Sequence, residues 1–225
     1  MRIATSLNIV AACCALLSGA LAMAADIPLY PTGPAEDSAF IRFINGGTEP
    51  LQVIAQKGQP PLRLDAAKPV SPFYPVTASG TIKGTLASGQ KQLPLEVKAQ
   101  PGEFATVVAL PDAKGIRQVT VHDMPDDFNG LKASLGFFNL DASCTDARLR
   151  PAGRNADLFK GVTQGSLQRR SINPVKLSVQ LVCANANVGP ALDLGELKAG
   201  ERYSVFLLPS ASGPRLLAAT DALAH

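Results

Sequence analysis

Short apolar runs of four to eight residues, separated by glycine, proline or polar residues, follow one another along the chain. The runs show no helical period, and 18 prolines interrupt almost every window long enough for a helix. Apolar runs of this length between turn residues are typical of β-strands. The pattern predicts nine strands: Phe40–Ile44, Leu51–Ala55, Leu93–Val97, Phe104–Leu110, Gln118–Val121, Leu135–Leu140, Val175–Val182, Tyr203–Leu208 and Leu216–Ala219.

The run that ends at Cys183 shows the two-residue period of a strand with one buried face. Apolar side chains occupy positions 177, 179, 181 and 183, and they alternate with Ser178 and Gln180. Successive side chains of a strand point to opposite faces of the sheet. We therefore expect Cys183 to face the core.

The two halves of the chain resemble each other. A shift of 98 positions aligns Pro101–Asp123 with Ala199–Asp221 without a gap, with nine identities, where average composition gives about one or two. A shift of 94 aligns Phe40–Asn45 with Ser134–Asn139. The sequence thus predicts an all-β protein of two tandem antiparallel β-sandwich domains from an internal duplication. The expected boundaries are 26–124 for the first domain, 125–130 for a linker and 131–225 for the second domain.

The N-terminus reads as an export signal. Met1-Arg2 precedes a largely apolar run from Ile3 to Ala22, and Ala22-Met23-Ala24 has the small residues of a cleavage site. A membrane anchor is the alternative, but the run contains polar residues and lacks a basic flank after it. Lipidation at Cys13 is a second alternative, disfavoured because little apolar sequence precedes it. We expect residues 1–25 to be a cleaved signal peptide, the protein to be periplasmic, and the mature chain to have no membrane span.

Removal of residues 1–25 leaves two cysteines, Cys144 and Cys183. In an exported protein such a pair is expected to form a disulfide, here closing a loop of about 40 residues. Two buried free thiols are the alternative.

Composition and residue inventory exclude several functions. A hydrophobic content of 46% is too high for a disordered chain, and a net charge of +3 is too small for a dedicated nucleic-acid binder. The mature chain has only His122 and His225 as histidines, with no Gly-x-Ser-x-Gly elbow and no phosphate-binding loop. Two cysteines do not supply the ligands of a structural zinc site. We expect no enzymatic activity, cofactor or metal, and His122 is the one side chain on which an enzyme hypothesis rests.

Two groups of residues are candidates for an interaction surface. Tyr30 and Tyr74 each precede a proline and are candidates for stacking on a sugar ring. The segment between the cysteines holds seven basic side chains and two acidic ones, a net charge of +5, whereas the mature chain carries +2. Such a segment attracts an acidic glycan or protein surface, and a solvated loop without a partner is the alternative. The candidate arginines are Arg148, Arg150, Arg154, Arg169 and Arg170.

Three segments resemble the AlgF family, the periplasmic accessory proteins of alginate O-acetylation. They are Asp26–Pro34 with its Leu-Tyr-x-x-x-Pro opening, Ser38–Asn45, and the Ile-Asn-Pro-Val-Lys segment within Ile172–Ser178. The resemblance covers the mature chain. The Cys144/Cys183 pair and the arginine-rich insert between the two cysteines depart from the family pattern. It implies a non-catalytic protein that connects the membrane and periplasmic acetyltransferase proteins, and it transfers no catalytic residues.

The sequence therefore favours an adaptor that holds polysaccharide acetyltransferase proteins together, with alginate as the polymer. A carbohydrate-binding module that keeps an anionic exopolysaccharide near the transferase is the alternative. Binding through a basic loop weakens steeply with ionic strength, whereas an apolar protein interface does not, so salt dependence separates the two.

Overall fold

The structure is a computed structural model that describes residues 38–55, 60–78, 80–125 and 129–224. These residues belong to one compact unit. They form no helix, which confirms the all-β prediction for this part of the chain. The strands are β1 (Ser38–Asn45), β2 (Leu51–Ile54), β3 (Leu62–Leu64), β4 (Tyr74–Thr77), β5 (Thr81–Ser88), β6 (Lys91–Lys98), β7 (Phe104–Asp112), β8 (Gly115–Asp123), β9 (Ala133–Asn139), β10 (Arg148–Pro151), β11 (Ser166–Ile172), β12 (Val175–Cys183), β13 (Ala186–Leu197), β14 (Arg202–Leu208) and β15 (Arg215–Thr220).

The strands form four sheets, numbered here in the order in which they pack. Sheet 1 has the strand order β3-β2-β5-β6, and sheet 2 has the order β4-β1-β7-β8. Sheet 3 has the order β11-β9-β14-β15, and sheet 4 has the order β10-β12-β13. Sheets 1 and 2 come from the first half of the chain and sheets 3 and 4 from the second half.

Each of the nine predicted strands overlaps a strand of the structure, namely β1, β2, β6, β7, β8, β9, β12, β14 and β15. The strands without a sequence prediction are β3, β4, β5, β10, β11 and β13. Some of these strands are short and some are interrupted by glycine or proline. Others are polar, as is β11 with the sequence SLQRRSI. They lack a continuous apolar run because most are edge strands with much of their surface in solvent.

The expectation of purely antiparallel sheets is wrong at the centre of sheets 2 and 3. There β1 runs parallel to β7, with Phe43 opposite Val107, and β9 runs parallel to β14, with Phe137 opposite Val205. Each parallel pair is joined by a long crossover through the neighbouring sheet, as parallel pairing requires. All four strands are covered on both faces, which explains their nearly continuous apolar sequences.

Three apolar cores separate the four layers, and β1 shows how one strand serves two of them. Ile41 and Phe43 point into the core between sheets 1 and 2, whereas Ile44 points into the core between sheets 2 and 3. That middle core also contains Phe138 and Phe206 from the second half. The third core lies between sheets 3 and 4 and includes the inward face of β12. Cys183 faces this core, as predicted.

Equivalent positions of the two halves make equivalent backbone contacts. Gly102 N–H donates to the Ser38 carbonyl at 2.8 Å, and Gly200 N–H donates to the Lys132 carbonyl at 2.9 Å. Both glycines have φ of 78°, a backbone conformation that favours glycine. The turn that leads into the central strand of the sheet is therefore built in the same way in both halves.

Residues 222–224 extend from the second half onto the first. Phe73 N–H donates to the Ala222 carbonyl at 2.8 Å, and Ala224 N–H donates to the Phe73 carbonyl at 2.7 Å. Phe73 itself is buried. The segment after β15 is thus hydrogen-bonded to the segment before β4.

Candidate functional site

The predicted disulfide between Cys144 and Cys183 is present, and both residues are buried. It joins the loop after β9 to the end of β12. Ala184 N–H also donates to the Thr145 carbonyl at 2.8 Å, so the backbone reinforces the same connection. The arginine-rich segment therefore begins and ends at one fixed point of the fold, and its strands β10, β11 and β12 belong to sheets 3 and 4.

Two of the candidate arginines are held by neighbouring carboxylates. Arg148 pairs with Asp146, and Arg150 Nε lies 2.5 Å from Asp157 Oδ1. The hydrogen bond from Arg150, together with the positive charges around it, lowers the pKa of Asp157 below its ordinary value. These two arginines are partly covered and their charges are balanced locally, so they contribute little to a field that reaches into solvent.

Four other cations of the segment are exposed, and no carboxylate in the described part of the chain forms a salt bridge with them. They are Arg154, Lys160, Arg170 and Lys176. Arg170 Nη1 donates to the Leu158 carbonyl at 2.5 Å, which orients the side chain toward the loop before β11. An open groove runs alongside, lined by Asp157, Leu158, Lys160, Gln168, Arg169 and Arg170. Arg154, Lys160 and Arg170 therefore place unbalanced positive charge on β11 and the loop before it, and Lys176 lies at the start of β12.

Arg169 differs from its neighbours because its side chain turns away from solvent into the space between sheets 2 and 3. Its Nη2 lies 2.8 Å from Asp123 Oδ2 and 3.2 Å from Asp221 Oδ2. The two aspartates occupy equivalent positions of the aligned halves. Arg169 thus binds a carboxylate from each half and is not part of the exposed basic surface.

The guanidinium of Arg169 lies over Gly136, the residue opposite it in the sheet. A β-carbon on Gly136 would lie 3.0 Å from Arg169 Nη2. In the alignment of the halves, Gly136 corresponds to Arg42. The second half therefore lacks an arginine at this position, and Arg169 from the adjacent strand fills the space.

Arg42 is the counterpart of Arg169 on the other side of the middle core, where it is almost fully buried. Its Nη1 donates to Asp221 Oδ1 at 2.6 Å and its Nη2 donates to Ser204 Oγ at 2.9 Å. Its Nε donates to Thr106 Oγ1 at 2.9 Å. The guanidinium centre lies 4.4 Å from the ring centre of Phe73, a cation–π contact. The hydrogen bonds and ring contacts of this buried guanidinium thus come from both halves together.

Burial and charge act in opposite directions on this network. Burial lowers the pKa of Arg42, and the adjacent Asp221 opposes that effect. For Asp221, burial by itself raises the pKa, but Arg42 and Arg169 outweigh it and hold the pKa below its ordinary value. Arg202 completes the network with Nη2 at 3.1 Å from Asp123 Oδ2. None of the residues of this network except Arg169 was predicted from the sequence: Arg42, Asp123, Asp221 and Arg202 were not candidates. The signals available were an arginine inside an apolar run and an aspartate pair matched between the halves.

The remaining candidates lie apart from the basic surface. Tyr74 is half-buried on β4 and packs against the core between sheets 1 and 2. Tyr30 lies outside the described residues. His122 Nδ1, near the end of β8, lies 2.5 Å from Oε1 of the buried Glu103.

The described residues contain no group of three or more histidine, cysteine or acidic side chains arranged to hold a metal ion. Within the same ranges, no helix is long and apolar enough to cross a membrane.

A protein-family model described as "Alginate O-acetyl transferase AlgF" matches residues 12–204. A solved structure of the C-terminal domain of AlgF from P. aeruginosa is similar at 27% identity, covering 40% of this chain and 98% of that chain with a TM-score of 0.34. The Bacillus anthracis TIE protein matches at 9% identity over 76% of this chain and 34% of its own, with a TM-score of 0.26. No curated protein matches the sequence.

Proposed function

This chain belongs to the AlgF family, which takes part in alginate O-acetylation, and we propose that it is a non-catalytic adaptor that binds proteins of the acetyltransferase machinery. The observation that carries the adaptor role is the exposed positive charge on β11 and the loop before it, formed by Arg154, Lys160 and Arg170. Its rigid support comes from the disulfide and from the buried arginine–aspartate network behind β11. Exposed charges on a rigid β scaffold suit protein recognition. Charged residues at the rim of an interface raise the association rate with a partner of opposite charge.

The proposal is tested by capture from periplasmic and membrane extracts with the tagged full-length protein. We expect mass spectrometry to identify acetyltransferase components in the captured material. The variant Arg154→Glu/Lys160→Glu/Arg170→Glu is expected to lose at least tenfold of this capture. The matched control Lys68→Glu/Lys91→Glu/Lys98→Glu reverses three exposed cations of the first half and should capture as well as wild type. Absence of every acetyltransferase component from the wild-type capture would overturn the adaptor role.

A second candidate function is favoured by the same three cations, because uronate polymers carry one carboxylate on each sugar. In that case the protein holds anionic polysaccharide near the transferase. Titration with purified polymannuronate separates the two functions. Binding that disappears in high salt and in the triple charge reversal, without capture of a protein component, would favour the polysaccharide-binding role.

The non-catalytic part of the proposal is tested at His122. His122 is held at Nδ1 by the buried Glu103 while its side chain is 47% exposed, an arrangement that an enzyme hypothesis would use. We expect His122→Ala to support normal alginate acetylation in cells. A loss of acetyl groups with normal amounts of folded protein would assign His122 a chemical role.

We also propose that the two halves are tandem β-sandwich domains that arose by duplication. Three features support this. The central sheets share the order of an antiparallel edge strand, a parallel pair and a hairpin strand. Gly102 and Gly200 make equivalent hydrogen bonds. Asp123 and Asp221 take equivalent places in one network.

Export to the periplasm is the final part of the proposal, and it rests on the sequence of residues 1–25. Cell fractionation and N-terminal sequencing of the purified protein provide the test. We expect the protein in the periplasmic fraction with Asp26 as its first residue. A chain that keeps Met1 would overturn cleavage.

A further inference from the structure

We propose that the free edge of β11 is a docking strand, to which an extended, acidic segment of a partner protein adds as a further strand of sheet 3. This inference rests on the adaptor role proposed above and identifies the kind of segment that the adaptor binds. Strand addition at a sheet edge is a recurrent mode of peptide recognition, in which backbone hydrogen bonds give affinity and alternate side chains give specificity.

The hydrogen-bonding pattern of β9 shows which backbone groups of β11 are free. Ser134 N–H donates to the Glu201 carbonyl at 2.9 Å, so the even-numbered residues of β9 bond to β14. The odd-numbered residues therefore bond to β11, which places Arg170 opposite Leu135 in a hydrogen-bonded pair. It follows that the backbone groups of residues 167, 169 and 171 point away from the sheet, and β11 is the outermost strand on that side.

Five of the seven other edge strands in the described ranges carry a feature that hinders strand addition. β3 has only three residues, and Pro75 and Pro94 interrupt the edges of β4 and β6. β13 contains Pro190 and its ladder is irregular. β10 is bridged by Phe159, whereas β8 and β15, like β11, contact a strand of a neighbouring sheet. β11 has seven residues and contains neither proline nor glycine.

Contacts of β11 with other elements are made through its faces and leave its edge open. On the face toward sheet 2, Arg169 pairs with Asp123 at the end of β8. On the face toward sheet 4, Gln168 Nε2 donates to the Lys160 carbonyl at 3.3 Å. Both faces are thereby fixed, so the strand presents a preformed edge.

Charge along this edge selects an acidic segment. Arg169 is balanced by Asp123 and Asp221, and Arg150 is balanced by Asp157. Lys160 and Arg170 remain exposed without a salt bridge to any carboxylate that the structure describes. Acidic side chains at alternate positions of an added strand would balance these two cations. A protein segment is favoured over a polysaccharide because the N–H and C=O groups of an added strand have the spacing of the outward-facing backbone groups of β11.

Two kinds of variant test the edge and the charge separately in the full-length protein. Ser171→Pro removes an N–H that points out of the sheet and leaves the bonds between β11 and β9 intact. Its matched control is Gln92→Pro on β6, two residues before Pro94, where the N–H also points outward. Lys160→Glu/Arg170→Glu reverses the charge of the groove, and Lys91→Glu/Lys98→Glu is its control.

The measurement is capture of identified acetyltransferase components, quantified by mass spectrometry. We expect Ser171→Pro and Lys160→Glu/Arg170→Glu each to reduce capture at least tenfold, with both controls unchanged. Loss in the charge variant but not in Ser171→Pro would overturn strand addition. Full capture by both would overturn the β11 site while the adaptor role stands. No component captured by the wild type would overturn the adaptor role, and with it this inference.

A photo-crosslinking residue at position 171 provides the second measurement if Ser171→Pro does not fold. We expect a crosslink in cells to an acidic segment of one acetyltransferase component, and none from position 92. A crosslink to polysaccharide, or none to an acetyltransferase component, would overturn the inference.

Discussion

Arg42 on β1 and Asp221 after β15 form an ion pair of 2.6 Å, in which each side chain is only 1% exposed. The two residues come from opposite halves of the chain. Desolvating two charges is costly, and the Coulomb attraction offsets the cost only when further hydrogen bonds complete the pair. Ser204 and Thr106 supply those hydrogen bonds. The pair is therefore sensitive to the loss of either partner.

The first prediction concerns Arg42→Met. The substitution removes one of the two arginines that pair with the buried Asp221 and leaves only Arg169. We expect a loss of about 3–5 kcal/mol in the free energy of unfolding. Urea denaturation of the full-length protein measures it. Lys91→Met, at an exposed position, should change stability by less than about 0.5 kcal/mol. A loss below about 1 kcal/mol for Arg42→Met would mean that the network is not a stabilising element.

The second prediction concerns acid. Because the pKa of Asp221 is lower in the folded protein than in the unfolded chain, its contribution to stability is complete above its ordinary pKa of about 4. That contribution is lost as the pH falls from there through the lower, folded-state pKa. We expect the free energy of unfolding to decline steeply below about pH 4. In Asp221→Asn the decline should be shallower, since one proton-binding carboxyl is removed. Equal slopes in wild type and variant would contradict the assignment.

The third prediction concerns the disulfide. Cys144 and Cys183 are 39 positions apart, for which the chain-entropy model gives a stabilisation of about 4 kcal/mol. We expect Cys144→Ala/Cys183→Ala to lose stability on that order in urea denaturation. Adding a reductant should destabilise the wild type and leave the double variant unchanged. If the reductant has no effect on the wild type, the bond is not formed in the purified protein.

The fourth prediction concerns Gly136→Ala. The added methyl group would lie 3.0 Å from Arg169 Nη2 and 3.2 Å from the Phe138 ring, both closer than ordinary contacts. We expect a loss of about 1–3 kcal/mol, because the guanidinium must move away from its aspartates. Gly80→Ala is the control, since a β-carbon there meets no atom within 4 Å. An unchanged stability in Gly136→Ala would show that Arg169 moves without cost.

The sequence predicts the strands that are buried, because burial leaves apolar runs such as Phe40–Ile44. It does not predict β11, whose polar composition reflects a face and an edge that are open to solvent. Nor does periodicity report the direction of the partner strand, so the parallel pairing of β1 with β7 could not be inferred.

The candidate site, too, could be predicted only in part from the sequence. The net charge of the segment between the cysteines predicts a basic surface, and Arg154 and Arg170 lie on it. Charge counting alone does not separate them from Arg169, whose partners are more than 40 residues away in the sequence. Pairing over such distances depends on the fold, which no single-sequence pattern contains.

The middle core, shared by the two halves, has a consequence for biosynthesis. While the chain is being made, the first half can complete its own sheets, yet the face that carries Arg42 and Ile44 remains uncovered until Phe206 and Asp221 have been added. That face combines an apolar surface with an unneutralised cation, a combination prone to premature association. Truncation after residue 125 should therefore yield a protein that aggregates, and chaperones that act on exported chains would be needed during that interval.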